Sequence, residues 1–279
     1  MNVSASLNAF YDPAYKVPAA EQLVRLYDGG FRYLDMNFWD WSRGDASPFL
    51  ADNWEDWVKG IGEKADSLGV VFTQAHANVY NFYQDPGDAA LYETYVRSIK
   101  GAALLNIPWV TFHTSFNSEL SEEQMKKDNI EFYKPLAELA AKYNTGIALE
   151  NMPSRYPENA ESLIEMVDPL TAYGTVGVCW DTGHAHISHL DQGEELRRLG
   201  SRLHALHIQD NDGVSDHHMP PFFGTIDWHD VMDALHEIDY KGDFTFEAHM
   251  IVRRLPEWCK HDGVKTMFDI GEALVNGRF

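Results

Sequence analysis

Nine side chains able to hold a metal ion, His76, His113, Glu150, Asp181, His184, His207, Asp216, His218 and Glu247, fall at the ends of successive apolar, strand-like runs. The runs are FTQAHAN, WVTFHTSF, GIALENM, VGVCWDTGHAH, LHALHIQDN and GDFTFEAHM, and in each the acid, the imidazole or both come late, before turn-rich sequence. Where parallel strands close into a barrel, their carboxyl ends share one face, so these groups converge there. Glu150, Asp181, His207 and Glu247 form the primary set. Three carboxylates and one imidazole make a hard-leaning donor set that suits Mn²⁺ first, with Mg²⁺, Co²⁺ or Zn²⁺ as alternatives.

The elements that must position these groups alternate along the chain. VSASLNAF, FRYLDMNF, VVFTQAHA, WVTFHTSF, GIALENM, TVGVCWDTGHA, LHALHIQDN and FTFEAHM read as eight strands, each followed by a helical stretch, with Gly29, Gly30 and Gly69 punctuating helix ends. Eight strand–helix units favour a closed (β/α)₈ TIM barrel over an open sheet, as one domain across 1–279. Alternation of side chains sharpens the prediction. With Glu150, Asp181, His207 and Glu247 inward, Ala148, Cys179, Ala205 and Thr245 also point inward. Small residues there leave room for an ion above them. The longest irregular stretch, NDGVSDHHMPPFFGTID, follows the seventh strand, and a loop of that length usually has a functional task.

Composition narrows the partners. The formal charge of −21, from 22 basic and 43 acidic residues, repels polyphosphate and disfavours nucleic acid. WDWSRGDASPF and ANVYNFYQDPGD, the loops after the second and third strands, carry only Arg43 between them. Cys179 and Cys259 cannot build a disulfide framework and suit a reducing, cytoplasmic setting. The start, MNVSASLNAF, lacks a signal-peptide pattern, and no run approaches the roughly 18 apolar residues of a membrane helix. A homo-oligomer remains open.

ALEN, GVCWDTGHAH, HIQDNDG, DHHMPPFFGTIDW and FEAH, in that order, resemble the active-site segments of the xylose isomerase-like TIM-barrel superfamily, across nearly the whole chain. That superfamily includes sugar and sugar phosphate isomerases and epimerases as well as the type IV apurinic endonucleases. The resemblance implies that Glu150, Asp181, His207 and Glu247 bind one divalent ion, that Glu150 and Glu247 double as acid and base, and that His184 binds substrate. The implied reaction is isomerisation or epimerisation of a small sugar through a metal-stabilised enediolate. A keto-sugar or keto-inositol lyase could use the same chemistry. In the endonuclease branch His76, His113, His184, Asp216 and His218 would complete a three-metal cluster, so they are candidates for a second metal site; in the sugar enzymes His76 and His113 would contact substrate. A sugar-binding barrel without catalysis would not need two convergent glutamates.

Two departures bear on substrate. Gly213 stands where ketose 3-epimerases carry an arginine, and MPPFFGTIDW departs from the Gly-Glu-Gly of many relatives. Arg155 is the one basic residue nominated to meet a substrate anion. Phe38, Trp39, Trp41, Tyr80, Phe82, Tyr83, Phe116, Phe222 and Phe223 lie on the expected site face, where some should wall a polyol pocket and others pack in loops. Trp54 and Trp57 read as core. His204 should face a helix by parity, and His229, His236 and His261 lie on or near helices.

Overall fold

The strands form where β-branched and aromatic residues alternate with small or polar ones, and the computed structural model describes them within residues 1–10, 17–44 and 47–279. They are β1 (Val3–Ser6), β2 (Tyr33–Asn37), β3 (Val71–His76), β4 (Trp109–Phe112), β5 (Gly146–Glu150), β6 (Val176–Asp181), β7 (Leu203–His207) and β8 (Phe244–Phe246). All neighbours pair in parallel in the order β7-β6-β5-β4-β3-β2-β1-β8. Ile208 N–H donates to Thr245 O at 2.8 Å and Glu247 N–H to Ile208 O at 3.0 Å, which brings β7 against β8 and nearly closes the ring. The result is a (β/α)₈ TIM barrel. Asp45 and Ala46, part of the segment read as poor in basic residues, lie outside the described residues.

Parity holds through most of the ring. Ala148, Cys179 and Ala205 are fully buried inside it, packed against Trp109. Ile147, Leu149, Val178, Trp180, Leu206, Ile208, Phe244 and Phe246 belong to the outer core beneath the helices. Polar caps set the helix starts: Asp88 Oδ1 accepts from Ala90 and Leu91 N–H, Ser121 from Gln124, and Asn159 forms a reciprocal box with Ser162. The helix Trp54–Leu68 ends on Gly69 at φ 69°, a left-handed position that glycine adopts without strain. No helix among the described residues is long and apolar enough to cross a membrane.

His204 departs from the parity reading. Val178 pairs with Leu203 but Cys179 pairs with Ala205, so His204 is the extra residue of a β-bulge. The bulge turns its ring onto Trp109, stacked at 4.0 Å and 14°, rather than toward a helix. Gly177 makes room, since a Cβ there would lie 2.2 Å from His204 Cδ2. His204 and Trp109 line a cavity of about 580 Å³ with Thr73, Asp239 and Asp243. None of the metal-binding candidates borders it.

Candidate metal centre

Glu150 and His207 are the last residues of β5 and β7, Asp181 ends β6, and Glu247 follows β8 by one residue. One donor atom from each lies within 4.8 Å of the other three, and all four residues are buried. His207 Nδ1 and Glu150 Oε1 are 2.8 Å apart, and the same nitrogen is 3.6 Å from Glu247 Oε2. Asp181 serves two purposes. Its Oδ1 accepts His184 N–H at 2.7 Å, capping the short helix Thr182–Ile187, while Oδ2 is left to Gln209 Nε2 at 3.5 Å. The TGHAH segment, read as the tail of a strand, is therefore that helix.

Three buried carboxylates this close need positive charge. Burial, reinforced by Glu150, Asp216 and Glu247, pushes the Asp181 carboxyl up to about 6 despite His184. Burial also opposes ionisation of Glu150, but the imidazoles of His207 and His113 outweigh it and hold that carboxyl well below its usual range. His207 is held well above its usual value, burial notwithstanding, by Cys179, Glu150 and Glu247. Among the described residues Glu150 Oε2 has no hydrogen bond of acceptable geometry, although His113 Nε2 is 2.9 Å away. An orphaned, fully buried carboxylate oxygen among hard donors is what a divalent cation would satisfy, so the residues fit such an ion.

The outer histidines flank this quartet in two groups. His76 Nε2 lies 3.6 Å from Glu150 Oε2 and 3.2 Å from His113 Nε2, making a His76–His113–Glu150 trio. On the other side, His184 Nε2 and His218 Nε2 approach Asp216 Oδ2 at 3.7 and 3.0 Å. The five residues expected to add metal sites beside the quartet thus form two groups, one at Glu150 and one at Asp216. Backbone carbonyls fix three of the rings. Nδ1 of His76, His184 and His218 faces Ala77 O at 2.7 Å, Asn151 O at 2.9 Å and Glu247 O at 2.8 Å, so each must be the N–H there, leaving Nε2 for the cavity. Burial lowers the basicity of His184, but Asp181, Asp216 and Glu150 hold it at about 10.

Amides that sequence reasoning passed over hold the carboxylates in place. Asn151 donates Nδ2–H to Asp181 O at 3.0 Å and accepts Asp181 N–H at 2.7 Å. Gln209, two residues past His207 and so inward by parity, donates to Asp216 Oδ1 at 2.5 Å. Asp35, inward on β2 and fully buried, accepts from Ser6 Oγ and Gln74 Nε2 at 3.2 Å each. The long loop after β7 hangs from buried Asp210, which accepts Phe222 N–H, Ile226 N–H and Trp228 Nε1–H at 3.0, 3.2 and 3.0 Å.

The aromatic residues separate as follows. Trp39 stacks on His76 at 5.8 Å, with the Arg43 guanidinium 4.1 Å above it. Phe38 is fully buried on Phe49, Trp41 packs on Trp57, and Tyr80 is buried, while Phe222 and Phe223 are exposed. The Arg155 guanidinium lies over Phe116 at 5.7 Å in a groove of about 310 Å³ between the loops after β4 and β5, within reach of the charge of Glu150.

A family profile described as xylose isomerase-like TIM barrel matches residues 23–274. Fructoselysine 3-epimerase of Escherichia coli O157:H7 is 25% identical over 173 residues, 47% of this chain and 63% of that protein. The chain spans less than two thirds of the length of the curated relatives it matches, 54–64%. A D-tagatose 3-epimerase-like protein superposes with a TM-score of 0.77 at 20% identity, covering 100% of this chain and 99% of the other. The IOLI protein, solved with a zinc atom, superposes with a TM-score of 0.76 at 17% identity over 100% and 99% of the two chains. At these identities the two structures speak for the shared fold.

Proposed function

The chain belongs to the xylose isomerase-like TIM-barrel family, and from that premise we propose that it is a divalent-metal-dependent epimerase or isomerase of a small sugar. The observation that carries this reading is the buried convergence of Glu150, Asp181, His207 and Glu247 at the carboxyl end of the barrel. Those four residues would hold the ion, Mn²⁺ by preference and Mg²⁺, Co²⁺ or Zn²⁺ otherwise, and the ion would polarise a ketose carbonyl and acidify the neighbouring C–H. Glu247 takes that proton and Glu150 returns one from the other side. Return to the opposite face of the same carbon inverts it; return to the adjacent carbon moves the carbonyl. His184, its Nδ1–H fixed on Asn151 O, would turn Nε2 to a substrate oxygen, and His76 and His113 face each other through Nε2 beside Glu150. The likeness to fructoselysine 3-epimerase and to the D-tagatose 3-epimerase-like protein supports a keto-sugar as substrate class.

The test is a screen of ketoses, aldoses and keto-sugars with each metal in D₂O, read as loss of a C–H signal. Absence of exchange with every one of them refutes the reading. The His76–His113–Glu150 trio favours a second reading, a phosphodiesterase with an additional ion. Against it stands the charge of −21, which penalises approach of a duplex. Metal-dependent incision of abasic DNA that disappears in Glu247→Gln would promote that alternative; we expect none.

A further inference from the structure

One side of the barrel mouth holds buried acceptors that no donor among the described residues satisfies. Asn8, two residues past β1, is 3% exposed, and Asp40, three past β2, is 5% exposed; within that set Asn8 Oδ1 and Asp40 Oδ2 have no hydrogen-bond partner. Native proteins leave few such atoms, and each one left is costly. A single guanidinium links the two. Arg253 Nη2 donates to Asn8 O at 2.9 Å and stands 4.0 Å from Asp40 Oδ2, too far for a hydrogen bond. Arg253 lies on the short helix Met250–Arg253, which follows Glu247 closely in the chain. Trp39, the neighbour of Asp40, stacks on His76 at 5.8 Å, and the helix of Arg253 begins three residues after Glu247, which puts the group beside the metal-binding quartet.

We propose that Asn8, Asp40 and Arg253 form a subsite that grips hydroxyl groups at the far end of a polyol whose carbonyl end lies at Glu150 and Glu247. The mixed character of the set selects the ligand. Two unsatisfied acceptors call for donors, so an anion is refused by Asp40, and an ammonium group is refused by Arg253. A hydroxyl both donates and accepts and meets all three residues. The inference rests on the sugar reading, and it makes Asp40 a determinant of chain length: a six-carbon ketose reaches the subsite and a four-carbon ketose does not.

The experiment compares kcat/KM for a ketohexose and a ketotetrose by proton exchange in D₂O, with metal supplied, in the wild type and in Asp40→Ala. Loss of hydrogen bonds to a charged acceptor lowers the hexose-to-tetrose ratio about tenfold. Should Asp40→Ala fail to fold, the isosteric Asp40→Asn carries the test with a fall of about threefold or more. A ratio within about twofold of wild type in a folded variant overturns the subsite while leaving the sugar reading intact. Absence of exchange on any ketose by the wild type overturns both.

Discussion

Replacing Asp40 by asparagine should make the protein more stable, by an amount that depends on pH in a calculable way. Burial, with a smaller contribution from Glu247, outweighs Arg253 and Arg43 and lifts the Asp40 carboxyl from 3.8 to about 6. A carboxyl whose folded pKa is raised binds its proton more tightly in the native state, so native stability falls as pH rises between those two values. The cost is about 0.5 kcal/mol at pH 4, about 1.6 kcal/mol at pH 5 and about 3 kcal/mol above pH 7. The amide of the Asp40→Asn variant does not titrate and escapes it. Urea unfolding of both proteins from pH 4 to pH 8, with chelator present to exclude coupled metal binding, should show the gap widening across that window. Near pH 8 the melting temperature should differ by about 5 °C for a chain of 279 residues. A gap that stays flat with pH, or an Asp40→Asn variant no more stable than wild type at pH 8, contradicts the reasoning. A buried acid retained at such a cost is the usual mark of a residue kept for binding rather than for folding.

Chelator-stripped protein should gain about 2.7 kcal/mol, or 4–5 °C in melting temperature, when Mn²⁺, Co²⁺ or Zn²⁺ is added at a hundred times its dissociation constant; no shift with any of them would remove the metal centre. Gly183→Ala should weaken metal binding about tenfold or more by calorimetry, because its Cβ would meet the Gln209 carboxamide at 2.2 Å and displace the group that holds Asp216 and faces Asp181. Unchanged affinity would mean that Gln209 moves aside freely. Glu247→Gln should keep the far-UV circular dichroism of the wild type and lose proton exchange by a factor of about 10² to 10⁴, since an amide cannot act as base; retention of exchange would move the base elsewhere.

The barrel was legible in the sequence because its signal repeats: eight runs, each with small or polar residues on one parity and bulky apolar residues on the other. The same parity put Ala148, Cys179 and Ala205 beneath the site correctly. It failed at His204, where one extra residue in β7 reverses the side on which a ring emerges and no composition cue marks the bulge. The short helices Phe38–Trp41, Thr182–Ile187 and Met250–Arg253 are too brief to show a helical period, so Asp40 and Arg253 could not be placed. Asp35 and Gln209 were within reach of the alternation, as polar residues on inward positions. Gln209 carries no metal-binding cue, since an amide positions such ligands rather than joins them, and Asp35 lies in the middle of β2 rather than at its end.

Asp210 gives the molecule an unusual mechanical separation. The loop that carries Asp216 and His218 is tied to this carboxylate through Phe222 and Ile226, held by Gln209 at Asp216 and by the Glu247 carbonyl at His218, and fixed at its far end where Asp227 caps the next helix. The exposed tip at Val214 and Ser215 makes none of those ties and can be exchanged without touching a strand. Amide hydrogen exchange should find it opening at lower free energy than the barrel, as one cooperative unit. Insertions at that tip, which leave Asp216 and His218 in place, are therefore a direct route to altered substrate preference.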